Sequence, residues 1–137
     1  MRDPVTSMEP MSHEACRVVA LPMAEVLGTI SGKWTVFIVG ALSAGPRRFS
    51  QLRREIEGIS QKMLTATLRD LERDGFVMRT VTPSIPPRVD YELTEMGREL
   101  REPLHVIGSW AQANRQRVED ARIQFETREA EARARGW

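Results

Sequence analysis

The sequence predicts a mainly α-helical domain with a small β-sheet. Apolar residues recur at three- and four-residue spacing along most of the chain, whereas β-rich runs occur only between positions 76 and 93. The length of 137 residues suits one domain with modest extensions, and 41% apolar with 28% charged residues is typical of a globular chain. This composition excludes collagen-like, disulfide-scaffold and wholly disordered proteins.

The distribution of apolar residues argues against a membrane protein. The longest nearly uninterrupted apolar run, residues 34–42, has nine positions, whereas a membrane span needs about 20. The first residues also lack the charged start and apolar core of a signal peptide. The sequence therefore predicts a cytoplasmic protein with no membrane partner.

The first 20 residues are predicted to form a flexible N-terminal arm, because prolines and methionines stand there without a sustained period. One helical turn is expected at residues 13–19. Regular structure is expected to begin with a short helix over residues 22–30, since proline suits the first helical position. Ser31-Gly32 ends it, and a second helix over residues 33–42 is apolar on most sides, which makes it the predicted core helix.

Two further helices are predicted on either side of a short glycine-containing turn. The first is expected to begin at Ser50, a good N-cap residue, with Leu52 on its inner face. Gly58 stands where a left-handed residue ends a helix, and Ser60 can cap a fourth helix over residues 60–74. The inner face of that helix is formed by Leu64, Leu68 and Leu71. Two helices joined in this way form a helix-turn-helix.

A hairpin with a stiff tip follows the fourth helix. Residues 76–82 and 88–93 are short β-rich runs, and three prolines in the five residues between them hold the tip extended and remove backbone donors. Residues 47–49 are expected to add only a bridge-length strand. Such a hairpin suits a projecting wing, so the predicted architecture is a winged helix-turn-helix domain over residues 21–112.

A last helix is predicted from Thr94 onward, with a bend near Pro103. Beyond residue 112 its apolar stripe fades, and residues 113–137 are predicted to be a charged C-terminal helical tail. Opposite charges stand four residues apart in this tail, and each such pair contributes only a few tenths of a kcal/mol. These pairs are Glu129 with Arg133 and Glu131 with Arg135. The tail is therefore expected to fray unless a partner holds it.

Positive charge is confined to the middle third of the chain. The net charge is only +1, but residues 45–90 hold nine basic and six acidic side chains. The major groove of DNA admits one α-helix, and readout falls to outward residues in the first half of that helix. The predicted base contacts are Ser60, Gln61, Lys62, Thr65, Ala66 and Arg69. The predicted phosphate contacts are Arg47, Arg48, Arg53, Arg54, Arg79 and Arg88. A solvated basic surface is the alternative, but clustering on the turn, helix and wing of one motif favours double-stranded DNA as the partner.

Five motifs in this region resemble those of the HxlR-type family of bacterial winged helix-turn-helix transcription regulators, which are relatives of the MarR group. The motifs are GKW at 32–34, GPRRF at 45–49, ISQKML at 59–64, LERDG at 71–75 and PPRVDY at 86–91. The resemblance covers roughly residues 22–110. It implies a homodimer built on the first and last helices that binds an inverted repeat near a promoter, often its own.

The single cysteine, Cys16, cannot form an intrachain disulfide. Many HxlR-type proteins carry a sensor cysteine directly before the proline that opens the first helix, but this chain has Leu21 there. Cys16 lies five residues earlier, where His13 could lower its pKa if the arm is helical. It is the candidate redox residue, and an inert thiol is the expected outcome.

The sequence predicts a regulator rather than an enzyme. It shows no nucleophile, base and orienter set, no phosphate-binding glycine loop and no metal-ligand cluster, so no cofactor or metal is expected. The residues predicted to line any pocket for a small-molecule effector are Met23, Trp34, Met96, His105 and Trp110, although core packing is the expected role of each. Repression is favoured over activation because occluding a promoter needs no activating surface. Two alternatives stay open: a winged-helix protein-interaction module without sequence-specific DNA binding, and a module that binds a small apolar ligand.

Overall fold

The computed structural model describes residues 10–30 and 32–136, and the chain separates into two compact units, Met1–Arg98 and Glu99–Trp137. The elements of the first unit are α1 (His13–Ile30), α2 (Lys33–Leu42), β1 (Arg47–Arg48), α3 (Phe49–Glu55), α4 (Gln61–Arg73), β2 (Val77–Thr82), β3 (Arg88–Leu93) and α5 (Glu95–Glu99). The second unit contains α6 (Arg101–Ala134). The predicted fold class, mainly helical with a small sheet, is confirmed.

The first helix is longer than the sequence predicted. Helix α1 begins at His13, whereas the sequence predicts only one helical turn at residues 13–19 and a separate helix from Pro22, which is the tenth residue of α1. Ser12 explains the earlier start, because its hydroxyl oxygen accepts a hydrogen bond of 3.1 Å from the Ala15 N–H and so caps the helix. The predicted turn at residues 13–19 is therefore part of one continuous helix, and residues 1–9 of the predicted arm lie outside the described residues.

The core of the first unit lies between α2, α3, α4 and the sheet. Ile38 of α2, Leu52 of α3 and Leu64 of α4 are fully buried. Helix α2 is less enclosed than predicted, however, since Val36 and Phe37 are 49% and 55% exposed. The helix buries one face, and its other face leaves apolar side chains in contact with solvent.

The predicted helix-turn-helix is formed by α3 and α4. Helix α3 begins one residue before Ser50, so Ser50 is not its cap; instead the Gln51 side-chain oxygen accepts a 2.8 Å hydrogen bond from the Arg48 N–H. Gly58 adopts the left-handed backbone expected of it, with φ of +85°. The Ser60 hydroxyl accepts a 3.0 Å hydrogen bond from the Met63 N–H, which confirms the predicted cap of α4.

Strands β2 and β3 form the wing, and together with β1 they make a three-stranded antiparallel sheet in the order β1-β3-β2. Strand β3 has the predicted bounds, and β2 begins one residue later than predicted. The register places Thr82 opposite Arg88, so the five residues 83–87 form the tip. The short strand β1 pairs with β3 and thereby ties the start of the helix-turn-helix to the wing.

The last helical region is interrupted at Leu100, close to Pro103. Helix α5 ends at Glu99 and α6 begins at Arg101, which places Pro103 in the first turn of α6. A proline is tolerated there because the N–H groups of a first turn have no partner within the helix. Helix α6 then continues to Ala134, so the predicted tail is helical.

The described residues contain no single helix that is long and apolar enough to cross a membrane. Helices α1 and α2 together are long and apolar enough by length and composition only, and the angle between them at their junction is 74°.

One hydrogen bond connects α1 to the end of α4 and makes the stability of this contact depend on pH. The Thr29 hydroxyl donates to the Asp74 carboxylate, which also accepts from the Arg73 Nε at 3.2 Å. The hydrogen bond from Thr29, with a further contribution from Arg73, lowers the pKa of Asp74 below its usual 3.8. A group whose folded pKa is lowered stabilises the fold above its unfolded pKa and loses that contribution as the pH falls through its folded value.

Replacing Thr29 with valine should therefore lower the free energy of unfolding at pH 7, and the loss should shrink as the pH falls below about 4. Urea denaturation of both proteins across this pH range measures it. Thr67→Val is the matched control, because the Thr67 hydroxyl donates to the Met63 carbonyl, which does not titrate. An equal pH dependence in both variants would contradict the assignment.

Candidate nucleic-acid interface

The outer face of α4 carries the predicted base contacts on one exposed surface. The fully buried Leu64, Leu68 and Leu71 fix the rotation of the helix about its axis and so direct the opposite side to solvent. One shallow cleft on that side is lined by Gln61, Lys62, Thr65, Ala66, Arg69, Asp70 and Arg73. The cleft includes five of the six predicted base contacts, and the sixth, Ser60, is the exposed cap of the same helix.

Two cations on this face are available to an outside partner. Within the described part of the chain, Lys62 and Arg69 make no ion pair or side-chain hydrogen bond. Gln61 differs, because its side-chain oxygen accepts a 3.3 Å hydrogen bond from the Arg53 Nη1. Gln61 must release this contact before it can present both its oxygen and its amino group to an adenine.

The basic face ends at Arg69. Arg73, one turn later, lies 3.3 Å from Asp70 and 3.2 Å from Asp74. The hydrogen bond and charge of Asp74, together with the charge of Asp70, raise the pKa of Arg73. The last turn of α4 is thus internally neutralised, which restricts positive potential to its first half.

Three of the predicted phosphate contacts are held in ion pairs. Arg88 of β3 lies 3.0 Å from Asp90 and Arg79 of β2 lies 3.5 Å from Glu72. The third pair joins Arg47 of β1 to Glu55 of α3, at 3.1 Å. These pairs are partly exposed, and exposed pairs contribute about 0–1 kcal/mol, so exchange for a phosphate costs little.

The remaining phosphate candidates lie around α3. Arg53 and Arg54 are exposed and line a second cleft with Phe49, Ser50 and Gln61. Arg48 is exposed at the start of the same helix. Because Gln61 belongs to both clefts, the surface of α3 is continuous with the outer face of α4.

Sequence reasoning missed the ion pairs of Arg47, Arg79 and Arg88, and only one of these three pairs had a local signal. Arg88 and Asp90 stand two residues apart on one strand, and such residues share a face of the sheet. The pair of Arg79 with Glu72 joins β2 to α4 and follows from tertiary packing alone.

The residues predicted to line an effector pocket are not core residues in the described chain. Met23, Met96 and Trp110 are 50%, 45% and 56% exposed, and His105 is also exposed. Trp34 is half-buried. The expectation that all five pack in the core is therefore wrong for four of them, and their part in an effector pocket stays a prediction.

The half-buried Trp34 has two neighbours on α2. Its ring centroid lies 5.9 Å from that of Phe37, and the Lys33 ammonium lies 4.5 Å above the ring. A lysine over an indole face is held by a cation–π attraction. Lys33 is thus turned toward its own helix.

Cys16 is the fourth residue of α1, and it is exposed. Its thiol is directed at the Met11 carbonyl, with a separation of 4.0 Å between sulfur and oxygen. The arm is helical here, as a pairing with His13 requires, but no hydrogen bond joins the two side chains in the described residues. A redox role for Cys16 stays a prediction.

A helix-turn-helix followed by a two-stranded wing, with a basic first half of the second helix, defines the winged-helix class of DNA-binding proteins. Residues 29–119 match the family model of the HxlR-like helix-turn-helix. The chain therefore belongs to this family. It is a DNA-binding transcription regulator.

Three similar proteins support this assignment. The HTH-type transcriptional regulator YtfH of Escherichia coli is 43% identical over 93 residues, which cover 68% of this chain and 74% of YtfH. The solved structure of the transcriptional regulator ytfH from Salmonella typhimurium has a TM-score of 0.64 at 40% identity, covering 74% of this chain and 90% of that one. The redox regulator HypR in its reduced form has a TM-score of 0.64 at 39% identity, covering 72% and 98%.

Proposed function

We propose that this protein acts in the cytoplasm as a homodimer that binds an inverted-repeat operator and represses transcription, without enzymatic activity or a cofactor. The observation that carries the proposal is the outer face of α4, where Lys62 and Arg69 are exposed and have no partner among the residues that the structure describes. A lysine or arginine in this place can bind the O6 and N7 atoms of guanine in the major groove. The thymine methyl groups would meet the methyl groups of Thr65 and Ala66.

Phosphate contacts would fix the register of α4 in the groove. Arg48, Arg53 and Arg54 lie at or on α3, and Arg79 and Arg88 lie on the two long strands of the wing. Contacts of this kind position the protein and carry no sequence information themselves. They would supply most of the non-specific affinity.

Exposed apolar surface supports the homodimer. Helix α1 exposes Val18 and Leu21 at 71% and 73%, and α2 exposes Phe37 at 55%. The first half of α6 separately exposes Ile107 and Trp110, each at 56%. Clustered apolar exposure of this kind marks interaction surfaces, and the family resemblance assigns dimerisation to the first and last helices.

Fluorescence anisotropy tests the proposal. The purified protein is titrated with its own upstream intergenic duplex and with a shuffled duplex at several salt concentrations. Tighter binding to the upstream duplex that weakens steeply with salt is expected. Equal, weak binding to both duplexes would mean that an operator must be sought elsewhere by genome-wide site selection. If that selection returned no preferred sequence, the alternative of a protein-interaction module would be favoured.

Replacing Arg88 with alanine should weaken binding to both duplexes about equally and reduce the slope of log affinity against log salt by about one, because one phosphate contact is lost. The measurement is the same titration at four or more salt concentrations. Arg135→Ala, at the exposed end of α6, is the matched control and should leave the slope unchanged. An unchanged slope for Arg88→Ala would remove this residue from the phosphate contacts.

An effector would act on this regulator through surfaces other than the outer face of α4. HypR is described as a redox regulator. In this chain the only thiol is the exposed Cys16, and exposure is one of the two properties that a sensor thiol needs, the other being a low pKa. Titration of apolar small molecules against tryptophan fluorescence would test the pocket residues Trp34 and Trp110 directly.

A further inference from the structure

The second half of α6 presents an apolar face that no other described residue of its own unit covers. The family match ends at residue 119, but the helix continues to Ala134. Val118 and Phe125 are 39% and 56% exposed. With the small Ala121 between them they line a cleft, together with Arg122 and Glu126. This surface belongs to α6 alone.

The apolar face continues along the helix with the alternating three- and four-residue spacing of a coiled-coil seam. Its members are Leu104, Ile107, Ala111, Asn114, Val118, Ala121, Phe125, Arg128 and Ala132. Only Asn114 and Arg128 are strongly polar. The seam therefore predicts pairing with another helix, and its centre lies around Ala121 and Phe125.

The charges beside the seam are sorted by sign along the helix. Arg115 and Arg117 flank its first part, whereas Glu129 and Glu131 flank its last part. None of these four side chains makes an ion pair within the described residues. The predicted pairs of Glu129 with Arg133 and Glu131 with Arg135 are likewise not formed, so the sequence prediction of intrahelical pairing is wrong here.

This sorting discriminates between the two orientations of a helix pair. In an antiparallel pair centred near position 123, Arg115 of one copy faces Glu129 of the other, and Arg117 faces Glu131. The symmetry repeats both contacts, which gives four opposite-charge contacts against one like-charge contact at Arg122. A parallel pair would instead place Arg117 beside Arg122 of the second copy twice and form none of the four favourable contacts.

We propose that the segment of α6 from residue 112 to residue 134 binds the same segment of a second copy of this chain in an antiparallel pair. The two apolar residues at the centre then complement each other in size, because Phe125 of one copy packs over Ala121 of the other. The paired segment is about 34 Å long at 1.5 Å per residue. The pairing does not depend on DNA binding.

Charge reversal on full-length protein tests the pairing. The variant Glu129→Arg/Glu131→Arg and the variant Arg115→Glu/Arg117→Glu should each show a Kd of self-association raised about tenfold in analytical ultracentrifugation, because four contacts become repulsive. A mixture of the two variants should associate as well as the wild type, since the reversed charges are complementary between them. A chain carrying all four substitutions should also recover.

Glu119→Arg/Asp120→Arg is the matched control, because it makes the same change of net charge at two positions that line neither the seam nor its cleft. It should leave self-association at the wild-type level, and circular dichroism should show the same helix content in every variant. Equal association of the control and of Glu129→Arg/Glu131→Arg, or a mixture that fails to recover, would overturn the proposal.

Spin labels test the orientation independently of the charges. In a Cys16→Ser background, single labels at Ile123 and at Ala130 lie on the outer side of the helix. Antiparallel pairing predicts a short distance between the two copies for Ile123 and an additional axial separation of about 21 Å for Ala130, since each residue from the centre adds twice the helical rise. Equal distances at both positions would show a parallel pair and overturn the proposal.

Discussion

Replacing Lys62 or Arg69 with alanine is expected to lower the affinity for the specific operator by about 1–3 kcal/mol, which is about 5- to 150-fold, and to relax the base preference at one position. Both side chains are exposed on the outer face of α4 and make no contact within the described chain that competes with DNA. Binding to a shuffled duplex should change far less. Anisotropy titrations and a footprint on the operator measure both effects.

Arg69→Lys separates base reading from charge. It preserves the positive charge but loses the planar fork that binds two acceptors at once, so base preference should fall while the salt slope stays as in the wild type. Since Lys62 and Arg69 are exposed, the thermal midpoint of every variant should equal that of the wild type. A footprint that retains the full base preference after either alanine substitution would refute α4 as the recognition helix.

Helix α4 could be predicted from the sequence because everything that defines it is local. Ser60 caps it through a bond to the N–H three residues later. The Leu64, Leu68 and Leu71 spacing fixes which side is buried. The outward position of Lys62 and Arg69 then follows from helical geometry alone.

The start of α1 differs from the prediction because Pro22 is compatible with two positions in a helix. Pro22 fits the first turn of a helix, but it also fits the interior of a helix whose other residues compensate for one missing hydrogen bond. The earlier cap at Ser12 was the competing signal. Local sequence rules are compatible with a helix that begins at His13 and with one that begins at Pro22. The structure has the longer helix, from His13.

The availability of the cations on β1 and β2 could not be predicted, since it depends on contacts between elements. Arg79 on β2 pairs with Glu72 on α4, and Arg47 on β1 pairs with Glu55 on α3. Arg73 differs, because Asp70 stands three residues before it and Asp74 follows it directly, so its pairing had a local signal in the sequence. The candidate interface is therefore smaller than the basic stretch of the sequence.

The close approach of α5 to the start of β2 accounts for a glycine that no turn requires. Gly97 is buried within α5, and its N–H donates to the Thr94 hydroxyl oxygen at 3.1 Å. The same hydroxyl donates to the Gly75 carbonyl at 2.6 Å, and the Thr94 N–H donates to the Phe76 carbonyl at 3.1 Å. These bonds hold the backbone of Phe76 against Gly97.

Replacing Gly97 with alanine is expected to lower the free energy of unfolding by about 3 kcal/mol. A Cβ atom there would lie 2.0 Å from the Phe76 carbonyl oxygen and 3.2 Å from the Leu93 Cδ2. The oxygen belongs to the backbone and is fixed by its hydrogen bond, so it cannot yield without separating α5 from the sheet. Urea denaturation measures the loss.

Gly40→Ala is the matched control, because a Cβ at Gly40 in α2 meets nothing within 4 Å, and alanine is the better helix former by about 1 kcal/mol. If Gly97→Ala unfolded at the wild-type urea concentration, the fixed contact between α5 and the Phe76 backbone would be refuted, and with it the reason for a glycine at this position.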